Sequence, residues 1–166
     1  MKKRVTLFLA RTALITALYV ALSLLVMPLS FGFIQVRISE GLTLLALIMP
    51  ECIPGLYLGC IISNLVGGCA PLDIIFGSLI TLVAAILTFI SGKLIKKTWL
   101  KILVGGIFPV FLNALFLPLI WYYCYGQMEF IYIVQAGIIF LGQALAVYLV
   151  GTPLFLVIKK HNRLLT

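Results

Sequence analysis

Acidic residues are almost missing from this chain: Asp and Glu together number 4 in 166 residues, against 12 Lys and Arg. Charged residues make up 10% of the whole, where a soluble domain carries about 25%. Hydrophobic residues reach 64%, and the mean hydropathy is +1.27. A small domain keeps much of its chain at the surface, so an apolar excess of this size cannot be hidden in a core. The surrounding solvent is therefore lipid. Soluble enzyme, nucleic-acid-binding module and disordered chain are excluded together.

Ligating and catalytic side chains are equally scarce. Histidine occurs once, as His161 in a charged tail, and Cys52, Cys60, Cys69 and Cys124 show no C-x-x-C spacing. A zinc or redox site is not expected. The thiols read as apolar buried side chains, with a Cys69–Cys124 disulfide left open as an alternative. Neither G-x-S-x-G nor H-E-x-x-H occurs, and Gly92-Lys93 continues into Leu94 with no phosphate loop before it. The sequence reads as a non-enzyme without metal or cofactor, so uphill transport would draw on a partner or an ion gradient.

What is present is a series of apolar runs, expected to form one domain over 1–166. Leu7 to Met27 is long enough to cross a bilayer, at about 1.5 Å per helical residue. It is too long for a signal peptide and ends in Pro28, so a retained helix is expected. Ser39–Pro50 and Pro54–Gly68 are two pieces short for a span, divided by Pro50, Glu51 and Pro54. Such pieces are tolerated at membrane depth where they line an enclosed cavity. Leu72 to Gly92 and Lys101 to Tyr123 are full-length. Ile131 to Ile158 is long and punctuated by Gly137, Gly142, Gly151 and Pro153, which predicts a tilt or kink. Apart from Arg37, the basic residues fall in three clusters: Lys2/Lys3/Arg4/Arg11, Lys93/Lys96/Lys97/Lys101 and Lys159/Lys160/Arg163. Six transmembrane helices with cytoplasmic N- and C-termini put all three clusters on the cytoplasmic face, as the positive-inside rule requires. The expected fold is an all-α, six-helix membrane bundle.

Small residues recur every four positions at Ala13, Ala17 and Ala21, at Gly55, Gly59, Ser63 and Gly67, and at Gly77, Thr81 and Ala85. Such stripes let backbones approach closely in lipid. The later two suit packing within the bundle, whereas the first, on a terminal helix, suits either that or another subunit.

Polar residues at membrane depth need a partner or a task, since an ionisable one there costs about 2.5–3.5 kcal/mol. In this topology Arg37, Glu40, Asn64 and Asp73 lie towards the outer ends of their helices. Asn113 and Gln143 lie near mid-depth, Trp121, Tyr122 and Gln135 nearer the outside, and Glu51 on a cytoplasmic turn. The gathering in the outer half, from five helices, predicts a pocket open to the outside. Each residue alone has a second reading. Asp73 could cap its helix, Glu40 and Arg37 could neutralise one another, the amides could bond neighbouring helices, and Trp121 and Tyr122 could belong to an interfacial belt.

The stretches Phe31-Gly-Phe-Ile-Gln-Val-Arg-Ile-Ser-Glu40, Pro50-Glu-Cys-Ile-Pro-Gly55, Gly59-Cys-Ile-Ile-Ser-Asn64 and Leu72-Asp-Ile-Ile-Phe-Gly-Ser78 resemble the QueT family of queuosine-precursor transporters. These are substrate-binding (S) components of energy-coupling factor (ECF) transporters, ABC-type importers of vitamins and related nutrients. The resemblance is strongest from 31 to 81. It implies a multi-pass protein of the bacterial cell membrane that captures its ligand outside, for ATP-driven uptake by a transmembrane coupling protein and two ATPase subunits. It implies that Ala13, Ala17 and Ala21 meet the coupling protein. For a 7-deazaguanine ligand it suggests Glu40 on the purine-like edge, Asp73 on a ligand cation or capping its helix, and Asn64, Asn113, Gln143, Arg37 and Trp121 around the ring. The segment from Leu29 to Val36 would close over the mouth, with Gln35 reaching in. Another water-soluble vitamin, or a stand-alone porter, remains an alternative.

Overall fold

With no water in the bilayer core to take up free N–H and C=O groups, a backbone there satisfies itself within helices. A computed structural model of the chain describes residues 2–30, 37–126 and 131–164, and the regular structure among them is helical throughout. Four helices are long and apolar enough to cross a membrane: Lys3–Leu25, Pro71–Leu94, Thr98–Cys124 and Tyr132–His161. Two apolar helices, Ile38–Leu47 and Cys52–Val66, are shorter. Both short pieces expected from the sequence are thus present.

The order is α1 (Lys2–Leu25), α2 (Met27–Ser30), a 3-10 helix (Ile38–Leu47), α3 (Cys52–Val66), α4 (Pro71–Leu94), α5 (Thr98–Tyr125) and α6 (Tyr132–Ala144). Helix α6 continues through a π-helical segment, Leu145–Gly151, into α7 (Thr152–Leu164). The kink expected in this last pass takes the form of that π segment. Pro153 lies two residues past its end and has no N–H to give the preceding turn. Pro109 and Pro118 lie inside α5 without ending it, as neighbouring helices in a bundle permit.

Side-chain contacts fix the directions. Thr16 Oγ1 donates to Gly55 O at 3.1 Å, and Gly59 leaves the room that Tyr19 occupies, so α1 and α3 run parallel. Thr88 Oγ1 donates to Gly105 O at 2.8 Å, and Gly77 faces Leu117, so α4 and α5 run antiparallel. As a result Lys3 and Arg4, Lys93, Lys96, Lys97 and Lys101, and Lys159 and Lys160 all lie at one end of the bundle. At that end Arg11 Nη1 pairs with Glu51 Oε1 at 3.0 Å, and Lys101 Nζ reaches Gly92 O at 2.5 Å, near the end of α4.

The 3-10 helix runs through the middle, with Ser39 to Leu47 buried. Its rise of about 2.0 Å per residue, against about 1.5 Å in an α-helix, lets ten residues reach further across the bundle. Glycines hold it at both ends. A Cβ on Gly41 would fall 2.9 Å from Ala146 O and 3.0 Å from Gly151 N, while at the basic end Gly92 leaves room for the Leu47 backbone.

Candidate functional site

Glu40 stands in the first turn of the 3-10 helix and is wholly buried. An ionised carboxylate there carries a desolvation cost of several kcal/mol, which hydroxyl donors offset. Tyr19 Oη donates to Oε1 at 2.6 Å, Thr81 Oγ1 to Oε1 at 3.3 Å and Thr43 Oγ1 to Oε2 at 3.3 Å. Cys60 Sγ lies alongside, 3.5 Å from Thr81 Oγ1 and 3.6 Å from Asn64 Nδ2. Arg37, just before the 3-10 helix, is also buried. It donates from Nε to Ser30 O at 3.3 Å and from Nη1 towards Cys60 Sγ at 3.8 Å. Above Glu40, Ser23 Oγ donates to Ser39 Oγ at 2.7 Å.

Helix α4 begins at Pro71 with Ala70 at the cap position, so Asp73 is not the N-cap. It lies in the first turn, where the helix N-terminus favours a negative charge. One turn on, Gly77 bears no side chain, and a Cβ there would lie 3.2 Å from Asp73 Oδ1 and 3.5 Å from Asn64 Nδ2. The Trp121 indole and the Cys69 thiol also face the Asp73 carboxylate. The α4–α5 register puts Asn113 level with Thr81, and therefore with Glu40. On α6, Gln135 and Gln143 are buried one turn to either side of Ile139, which packs on Ala114 and Leu117.

The structure thus gathers Arg37, Glu40, Asn64, Asp73, Asn113 and Gln143 into buried positions, with Trp121 half-buried at the rim. The cluster lies towards the end of the bundle opposite the lysines. Gln35 and nearly all of the expected lid, Leu29 to Val36, fall outside the described residues. Buried polar atoms are normally paired, yet Ser30 Oγ, Asn64 Oδ1, Asp73 Oδ1 and Asn113 Nδ2 have no partner among the described residues. Sequence reasoning missed Tyr19, Thr43, Cys60 and Thr81 as parts of this cluster. A tyrosine inside an apolar span, needing a partner for its hydroxyl, was the available signal for the first of them.

Among the described residues no group of three His, Cys, Asp or Glu could hold a metal. All four cysteines are free. Burial pushes the Cys69 thiol up to about 11, with the neighbouring Asp73 charge adding to the effect. Ala13, Ala17 and Ala21 are exposed on the outer side of α1. With Leu58 and Ile62 of α3 they line an open, almost wholly apolar groove of about 720 Å³.

A family model described as QueT transporter matches residues 9–160. No curated protein and no solved structure matches the chain.

Proposed function

The chain belongs to the QueT transporter family, and from that premise we propose that it is the substrate-binding S component of an ECF-type importer, capturing a 7-deazaguanine-type queuosine precursor from outside. It is a multi-pass membrane protein of a transport family; the coupling, the ligand and the site residues are the proposal. The observation that carries it is the buried polar cluster, in which donors and acceptors without partners among the described residues stand beside a fully buried carboxylate.

The chemistry matches the ligand class group by group. A 7-deazaguanine edge offers two adjacent donors, the ring N–H and the exocyclic amine, which a carboxylate accepts side by side. Glu40 suits that edge, its hydroxyl partners being able to turn away. Asn113 Nδ2 suits the ring carbonyl, and Trp121 the flat face. Arg37, Asn64, Asp73 and Gln143 complete the lining, and Gln35 belongs to the proposed lid. The lysine-rich end, with both termini, faces the cytoplasm by the positive-inside rule. The alanine groove on α1 is proposed as the contact for the transmembrane coupling protein, which carries two ATPase subunits.

Cells expressing this chain together with a coupling protein and ATPases should take up labelled 7-deazaguanine, and cells lacking the ATPases should not. Ala17→Leu, which fills the groove, should abolish co-purification with the coupling protein. Uptake that persists without any ATPase contradicts the S-component reading and favours a stand-alone porter.

A further inference from the structure

We infer that the turn between α4 and α5, together with the end of α7, is a docking surface for an anionic phospholipid in the leaflet at the lysine-rich end. This goes beyond the proposed function and holds whichever ligand the protein carries. Lys159 Nζ donates to Thr98 Oγ1 at 2.5 Å, which brings the end of α7 against the first turn of α5. Three lysines here serve the protein itself: Lys159 in that bond, Lys101 on Gly92 O, and Lys93, whose Nζ stands 4.4 Å from the centre of the Phe89 ring. Lys96, Lys97 and Lys160 are exposed and have no partner among the described residues. Among those residues Glu51 is the one acid at this end, and Arg11 holds it. Three positive charges therefore share one patch with no carboxylate to answer them.

What lies beside the lysines says which anion fits. Trp99 is 64% exposed, Leu94 77% and Leu103 53%. Trp99, Leu103 and the exposed Ile107 recur every four residues, which sets them on one face of α5. An indole favours the boundary between headgroups and hydrocarbon, so this face enters the apolar layer directly below the lysines. The surface follows the order of a lipid: ammonium groups for the phosphate, an indole at the boundary, an apolar stripe along the acyl chain. A soluble anion matches the first of these alone, and phosphatidylcholine brings its own cation towards the lysines. A lipid of net negative charge matches all three, and basic clusters at the cytoplasmic surface attract such lipids. The groove proposed for the coupling protein is on another flank, since α1 packs on α3 and the 3-10 helix, whereas this patch is built on α4, α5 and α7.

Trp99 also supplies the readout, because the chain has 2 tryptophans and Trp121→Phe leaves Trp99 alone. That full-length variant is reconstituted in phosphatidylcholine vesicles holding a small, equal fraction of either phosphatidylglycerol or phosphatidylcholine brominated on its acyl chains, the bromines quenching a nearby indole. The anionic lipid should quench Trp99 as though enriched about fivefold or more, the factor expected of one lysine near an anionic surface. Salt at about 1 M, where charges are screened within about 3 Å, should shrink that excess. Lys96→Gln, Lys97→Gln and Lys160→Gln combined should abolish it, while Lys3→Gln with Arg4→Gln, at the start of α1, should leave most of it. Substitutions at exposed lysines change stability little, so a lost excess reports on the lipid. Equal quenching by the two lipids overturns the inference. So does an excess that the triple variant keeps, or one that the α1 variant removes as fully, which describes a general surface potential. Loss of the excess in millimolar inorganic phosphate, against chloride of equal ionic strength, assigns the lysines to a soluble anion and also overturns it.

Discussion

At the scale of single residues, the site is a set of polar atoms held where hydrocarbon would otherwise be. Glu40 is tolerated because Tyr19, Thr43 and Thr81 donate to it. Asp73 is flanked by Trp121 and Cys69. The same environment makes a prediction for Cys69. With its thiol held up to about 11, chiefly by burial and then by the Asp73 charge, only about one molecule in a thousand carries the reactive thiolate at pH 8, and the thiolate is the nucleophile. Alkylation of Cys69 should be slow at that pH and speed up roughly tenfold per unit until pH nears 11. Peptide mapping after timed iodoacetamide exposure measures it, and fast, pH-independent labelling at neutrality contradicts the half-buried, acid-flanked position. Residues of this kind were legible in the sequence where the side chain is expensive in lipid: Arg37, Glu40, Asn64, Asp73, Asn113 and Gln143 all stood out. Tyr19, Thr81 and Cys60 did not, because each is compatible with an apolar helix, and only the fold shows that they turn inward.

At the scale of elements, the two irregular helices support one another. The 3-10 helix and the π segment touch backbone to backbone at Gly41 and Gly151, and Glu40 is the residue next to that contact. A methyl on Gly41 would fall 2.9 Å from Ala146 O and 3.2 Å from Val150 Cβ; neither backbone can withdraw without moving the site. Gly41→Ala should therefore cost about 1–3 kcal/mol, as overpacking does, and weaken ligand binding as Glu40 shifts. Gly137→Ala is the contrast: its Cβ would meet nothing within 4 Å, and in the interior of α6 it should be neutral or stabilise by up to about 1 kcal/mol. Thermal unfolding of the two variants in detergent measures the difference, and equal melting temperatures would count against the backbone contact. The existence and rough bounds of six helices were readable from apolar runs and prolines. The 3-10 and π geometries were not, because they arise from how far a short segment must reach and what it meets, and no local pattern in residues 38–47 or 145–151 encodes that.

At the scale of the whole molecule, polarity is divided between two ends. The lysines of the described residues and the Arg11–Glu51 pair occupy one end. The buried polar cluster lies towards the other, and the exposed alanines of α1 line a groove along the flank. The division was legible early, because positive charges cannot cross a bilayer cheaply and so mark a single face. The gathering of polar residues in one half of the bundle was legible too, but which side chains meet was not, since that depends on the parallel run of α1 beside α3 and on the α4–α5 register. The most direct check is a calorimetric binding screen on the purified chain across 7-deazaguanines, riboflavin, thiamine and biotin. A 7-deazaguanine should bind tightest, with one site per chain, and Glu40→Ala should remove that binding. Equal or absent binding across the series, or a deazaguanine signal that survives Glu40→Ala unchanged, would contradict a receptor site built around the buried carboxylate.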